Sequence, residues 1–168
     1  GVILSGGPDS AAEANRSDIP EFLFTCNVPL LGICYGMQAM AKQLGGKVIK
    51  STQKEFGFAK VKIDAESKLL DSVLDSSKNE RALDVWMSHG DAVISVPPGF
   101  SVVGSSANSS VAMMANEERN LFGLQFHPEV HHTKQGKAIL EQFVKAVCAC
   151  ETLWNPTNIV EDLVEKIR

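Results

Sequence analysis

Val28-Pro29-Leu30-Leu31-Gly32-Ile33-Cys34-Tyr35-Gly36-Met37-Gln38 is an apolar run that ends in Gly-x-Cys-x-Gly and passes straight into a helical pattern. Residues 28–33 read as a buried strand, and 36–44 as a helix stopped by Gly45-Gly46 at the C′ position. Cys34 falls on the sharp turn between them. Glycines on both sides permit a tight bend and the close approach of a substrate, as in a nucleophile elbow with Cys in place of Ser. A thiol so placed points at a helix N-terminus, whose unpaired N–H groups and dipole favour the reactive thiolate. A free Cys is equally at home as a small apolar core residue. This stretch alone leaves both readings open.

Upstream, residues 2–4 are a short apolar run, hence a buried strand, ending in Ser5-Gly6-Gly7-Pro8-Asp9-Ser10. Two glycines before a proline make a tight, stiff loop with exposed N–H groups. Such a loop serves as an oxyanion cradle or simply as a turn. Residues 11–19 are small and polar and read as loop. There Ser17 or Asp18 is placed to cap a short helix with Pro20 in its first turn. Phe22, Leu23 and Phe24 would face the core, and Asn27 would close the segment.

Downstream, 47–63 reads as strands, with Ala59, Val61 and Ile63 alternating with Lys60 and Lys62. Residues 69–74 form a short helical or turn segment and 76–80 a polar loop. A strand at 83–87 ends in Ser88-His89-Gly90-Asp91, which puts His89 and Asp91 on a turn. A further strand at 92–96 is broken by Pro97-Pro98-Gly99. Strands at 102–107 and 111–115 join through Asn108-Ser109-Ser110, and 116–120 is a charged turn. The strand at 121–126 runs into His127-Pro128-Glu129.

Pro128 pushes the residue before it toward extended geometry, where residues two apart point the same way. His127 and Glu129 can therefore stand side by side. A carboxylate beside an imidazole fixes its tautomer, as in a nucleophile–base–orienter triad; a surface pair is the simpler alternative. His131 and His132 invite a metal reading, but no Cys or carboxylate near them has a recognisable ligand spacing. Residues 134–149 show helical periodicity through Ile139, Leu140, Phe143, Val144, Val147 and Cys148, with Thr133 as its cap. Cys148 and Cys150 read as core or interface residues. Trp154-Asn155-Pro156 breaks the helix, and 159–167 is a second amphipathic segment, either a connector or a terminal helix packed back.

The chain has 168 residues, 44% of them hydrophobic and 21% charged, which suits one domain with a full core. A net charge of −4 argues against a general nucleic-acid binder. No stretch reads as a membrane span or export signal, so reduced thiols and a cytoplasmic setting are expected. Gly1-Val2-Ile3-Leu4-Ser5 already reads as a strand without an initiator Met, which suggests a piece of a longer protein.

A Cys elbow, a His-x-Glu after a strand and a Gly-Gly-Pro loop after another together resemble the class I, triad-type glutamine amidotransferases. Within that family the chain is most similar to the bacterial GMP synthetase branch. The matching strings are Gly32-Ile33-Cys34-Tyr35-Gly36-Met37-Gln38, Met87-Ser88-His89-Gly90-Asp91, Met114-Ala115-Asn116-Glu117-Glu118 and Gln125-Phe126-His127-Pro128-Glu129-Val130. The resemblance implies an α/β fold, a mostly parallel sheet flanked by helices, with the site at the C-terminal ends of the strands. Residues 1–150 would be the amidotransferase domain. Residues 151–168 would lead toward a separate ATP-pyrophosphatase synthetase domain.

It further implies Cys34 as nucleophile, His127 as proton relay and Glu129 as its orienter. Gly7 and Tyr35 would supply oxyanion-hole N–H groups. Gln38, His89 and Asp91 would hold the glutamine substrate. No cofactor or metal is expected in this chain; ATP and Mg would bind only the synthetase domain, which adenylates and aminates XMP. The partners implied are glutamine, that synthetase domain and a second copy in a homodimer. No nucleic acid or membrane is implied. The family's opening strand and helix, with their Asp-Phe-Gly-Ser/Ala-Gln pattern, have no counterpart here, so an exposed strand edge is expected. Rival readings are an amidotransferase of the anthranilate or carbamoyl phosphate type, and a non-catalytic module of the same fold. The intact set Cys34, His127 and Glu129 speaks against the second.

Overall fold

Two runs without polar alternation become neighbouring parallel strands, β2 (Leu30–Ile33) and β7 (Leu121–Leu124), buried at every position. Continuous apolar runs suit strands covered on both faces. The computed structural model describes residues 1–13, 19–74, 81–151 and 164. Around this pair lie β1 (Val2–Leu4), β3 (Lys47–Ile63), β4 (Ala82–Ser95), β5 (Ser101–Ser105) and β6 (Met113–Asn116). Among the described residues these strands form one seven-stranded sheet, in the order β1-β2-β7-β6-β5-β3-β4.

The α/β class stands, but the sheet is mixed where a mostly parallel one is expected. Only β1–β2 and β2–β7 are parallel; the other described neighbours run antiparallel. The cause is local in part: residues 117–120 turn β6 straight into β7, too short a connection for a parallel crossover. The parallel part is the part that carries Cys34.

Helix α1 (Tyr35–Gln43) covers one face, packing Met37, Met40 and Ala41 with Leu30, Val93, Met114 and Leu121. Helix α2 (Gly136–Glu141) and the π-helical stretch Gln142–Val147 cover the other, where Ile139 and Phe143 meet Leu31, Phe122 and Leu124. Leu30 and Leu31, adjacent in sequence, thus serve opposite cores. Strand β1 forms one edge of the sheet, and its Ile3 is 45% exposed. Among the described residues no helix is long and apolar enough to cross a membrane.

Three further expectations change. The Ser88-His89-Gly90-Asp91 segment is no turn: β4 runs through it unbroken, paired to β3 with a register shift between Lys50 and Glu55. Its polar side chains are tolerated because His89 and Asp91 find partners inside. Phe22, in the 3-10 turn Glu21–Phe24, is exposed, while Phe24 is buried and Leu23 half-buried. The helix expected over 134–149 begins at Gly136 with Gln135 as its uncapped N-cap, and Thr133 is used elsewhere. The caps suggested at Ser17 and Asp18, the loop over 76–80, the Trp154 break and, apart from Val164, the segment 159–167 lie outside the described residues.

Candidate active site

Cys34 links β2 to α1 at φ 49° and ψ −105°, a conformation that strains any residue with a side chain. Such strain persists where the surroundings over-determine it. Cys34 N donates to Leu124 O of β7 at 2.7 Å, and Cys34 O accepts from Gln38 N of α1 at 3.1 Å. One side of the residue is therefore held by the sheet and the other by the helix. The flanking glycines serve close packing. A methyl on Gly36 would strike the Leu4 carbonyl, and one on Gly32 would lie 2.7 Å from Met37 N. The bend itself is borne by Cys34.

His127 is the third residue after β7, and its backbone N–H donates to Trp86 O of β4 at 3.1 Å. Its Nδ1 lies 2.6 Å from Glu129 Oε1. Its Nε2 is buried and meets the hydrogen-bond geometry with no group among the described residues, on a ring packed beside Cys34. A methyl on Gly6 would lie 3.1 Å from His127 Cε1 and 3.7 Å from Cys34 Cβ, so one backbone position backs both side chains. The Cys34 sulfur above all, and then Glu129, push the imidazole up from 6.5 to about 9, against the effect of burial. The shift favours the imidazolium form beside the sulfur.

The sulfur opens onto a cavity of about 320 Å³. Gly7, Cys34, Tyr35, Gln38, His89 and Asp91 all line it, together with Phe56 and Ser88. Gly7 abuts the Tyr35 ring. Tyr35 opens α1, so its N–H belongs to the first-turn donors that have no carbonyl four residues back. Gln38 faces inward, its Nε2 donating to Asp91 O at 2.9 Å and to Gln125 Oε1 at 3.1 Å. Gln125 Nε2 in turn points at Cys34 Sγ from 3.8 Å, and that Sγ lies 3.6 Å from Ser88 O.

His89 Nδ1 and Asp91 Oδ2 are engaged within the protein. His89 Nδ1 meets Asp91 O at 2.9 Å, and its Nε2 faces buried Glu55 at 3.4 Å. Asp91 Oδ2 accepts from Ser10 Oγ at 2.7 Å and Ala12 N at 3.0 Å, which ties the Gly-Gly-Pro loop to β4. The site contacts of Gln125, Glu55 and Thr133 escape the sequence reading, which has Gln125 only within a matching string and Thr133 only as a helix cap. Only Gln125 carries a local signal, being a polar residue in an otherwise apolar strand end. His132 stacks on Trp86 and His131 lies tilted against His132, and among the described residues no group of three metal-ligating side chains forms.

The description "Glutamine amidotransferase class-I" is that of the family model matching residues 1–147. The chain belongs to this family. Curated relatives include the glutamine-hydrolysing GMP synthases of Serratia proteamaculans, 54% identical, and Colwellia psychrerythraea, 52% identical, each matched over all of this chain. The chain spans 32% of each of those proteins, about a third of their length. Among solved structures, a Thermoplasma acidophilum protein described as a candidate GMP synthase subunit is 32% identical with a TM-score of 0.69, over 77% of this chain and 61% of that one. A Thermotoga maritima glutamine amidotransferase is 28% identical with a TM-score of 0.57, over 75% of this chain and 49% of that one. In this amidotransferase Cys34 and the first-turn residue Tyr35 line one cavity, and the oriented His127 imidazole packs beside Cys34 without being among the lining residues. That combination can form and break an acyl–sulfur bond.

Proposed function

We propose that this amidotransferase chain hydrolyses glutamine to glutamate and ammonia through a γ-glutamyl thioester on Cys34. The observation that carries the reading is the strained, buried Cys34 with the His127–Glu129 pair beside it, open to the cavity. Cys34 Sγ attacks the side-chain amide carbon, and the oxygen that becomes negative is met by the N–H groups of Gly7 and Tyr35. His127 gives its Nε2 proton to the departing nitrogen, which leaves as ammonia. It then takes a proton from water, whose oxygen attacks the thioester and releases glutamate and the Cys34 sulfur. Glu129 holds Nδ1 and balances the imidazolium charge. Gln38, His89 and Asp91 shape the wall against which the amino-acid end of glutamine rests, with the last two acting through the strand they hold.

The similarity to GMP synthases supports a finer reading: the ammonia aminates XMP to GMP in a synthetase region of one longer polypeptide. ATP and Mg would act there. Phe56 at the cavity rim is 67% exposed and Phe58 next to it on the same strand face is 63% exposed, an aromatic surface suited to being covered by such a region. The test is labelling by a glutamine analogue with an electrophile at the γ position, read by peptide mapping. Stoichiometric labelling at Cys34, blocked by glutamine, is expected. Labelling at Cys26, Cys148 or Cys150 in its place would overturn the assignment.

A further inference from the structure

We infer that the Thr133 hydroxyl is a positioning group for His127, holding it through its backbone carbonyl; this rests on the glutaminase reading. Thr133 Oγ1 donates to His127 O at 2.6 Å and accepts from Trp86 N at 3.0 Å. His127 N donates to Trp86 O at 3.1 Å. Both backbone groups of Trp86 are thus committed to the loop that carries His127. The pattern continues two residues along β4, where Lys134 N donates to Asp84 O at 3.0 Å and Gln135 Oε1 accepts from Asp84 N at 3.1 Å. On the far side, Gly136 packs so closely on Pro128 O that no side chain fits.

This clasp matters because His127 sits on no helix or strand. Glu129 orients the ring but lies on the same loop, and its side chain is 48% exposed. Of the contacts to the His127 main chain, those through Thr133 and Trp86 run to the sheet that also carries Cys34. Thr133 is only 4% exposed. Its hydroxyl must donate and accept at once, which Ser also does and the near-isosteric Val does not. Without it the imidazole loses its fixed distance from the sulfur while the cavity wall formed by Gly7, Gln38 and residues 88–91 stays in place.

The experiment compares wild type, Thr133→Ser and Thr133→Val in the full-length protein. Glutaminase kcat and KM are measured with the pH profile of Cys34 alkylation by iodoacetamide, folding being checked by circular dichroism. Thr133→Val is expected to lower kcat about 10- to 100-fold, the scale of a 1 Å misplacement. KM should stay within about twofold, the alkylation profile should shift, and Thr133→Ser should restore both. A folded Val variant with wild-type kcat and alkylation, or a Ser variant as impaired as Val, would overturn the inference. If Val does not fold, Thr133→Ala, which leaves room for a water, is judged against Ser by the same criteria. Should wild type neither turn over glutamine nor be protected by it, the glutaminase reading fails, and the alkylation profiles still decide the clasp.

Discussion

Glu55 and His89 stand directly opposite each other on β3 and β4, with Glu55 Oε2 3.4 Å from His89 Nε2 and both residues buried. Ser106 Oγ lies 3.2 Å from each Glu55 oxygen, and His89 Nδ1 meets Asp91 O. The same Asp91 carbonyl accepts from Gln38, which continues through Gln125 to the Cys34 sulfur. One carbonyl therefore joins a buried acid–base pair to the glutamine pair behind the nucleophile.

Removing one member of this buried pair leaves a polar group of the other unsatisfied, at a cost of about 1–3 kcal/mol. Glu55→Ala and His89→Ala are each expected to lose stability on that scale. The double variant should lose less than the sum, since neither partner is then stranded. Urea unfolding of the three proteins measures this; additive losses would mean that the two side chains do not interact.

At Cys34 the usual ranking of Ala over Gly should invert. Holding a side chain at φ 49° and ψ −105° costs about 1–3 kcal/mol, which glycine avoids. Cys34→Gly is therefore expected to be more stable than Cys34→Ala by about 1 kcal/mol, while both lack glutaminase turnover. Denaturation midpoints of the two inactive proteins give the comparison. A less stable Gly variant would mean that the elbow is unstrained, and turnover in the Ala variant would remove Cys34 from the chemistry.

The elbow and the His127–Glu129 pair are legible because their signals are local. An unbroken apolar run, a helix stop at Gly45 and a proline between two polar residues can be read within a few positions. The contacts of Glu55, Gln125 and Thr133 escape because their partners come from other elements, brought together only when the sheet forms. Residues 88–91 mislead for a related reason. Polar residues around Gly90 mimic a turn, yet Glu55, Ser10 and Gln38 satisfy their side-chain or backbone groups inside, and the strand continues. The antiparallel half of the sheet is hidden because strand direction depends on connections that periodicity does not reveal.

Gly36 should tolerate no side chain. An added methyl would enter the Leu4 carbonyl at the end of β1, a backbone atom that cannot rotate away. Gly36→Ala is expected to cost about 1–3 kcal/mol, the usual penalty of overpacking. It should also cut labelling of Cys34 by the glutamine analogue, because β1 leads into the Gly7 loop. Gly45→Ala serves as a control: Gly45 has φ +95°, so its substitution is strained, but its neighbour is Pro98 and not the cavity. It should lower stability and leave the labelling rate unchanged.

The pH dependence follows from His127, raised to about 9 by the Cys34 sulfur and Glu129. A raised imidazole contributes stability that is complete below its ordinary 6.5 and disappears as pH climbs through about 9. The same proton is the one given to the leaving nitrogen, so kcat/KM should fall on an alkaline limb near 9. Glu129→Gln keeps an acceptor for Nδ1 but removes the charge. The His127 imidazolium then loses part of its support, the limb moves to lower pH, and kcat drops by about 10²–10⁴-fold, the range of general acid–base catalysis. Rate profiles from about pH 6 to 10.5, paired with an NMR titration of His127, measure both effects. Coincident limbs in wild type and Glu129→Gln would mean that the carboxylate orients the ring without tuning it.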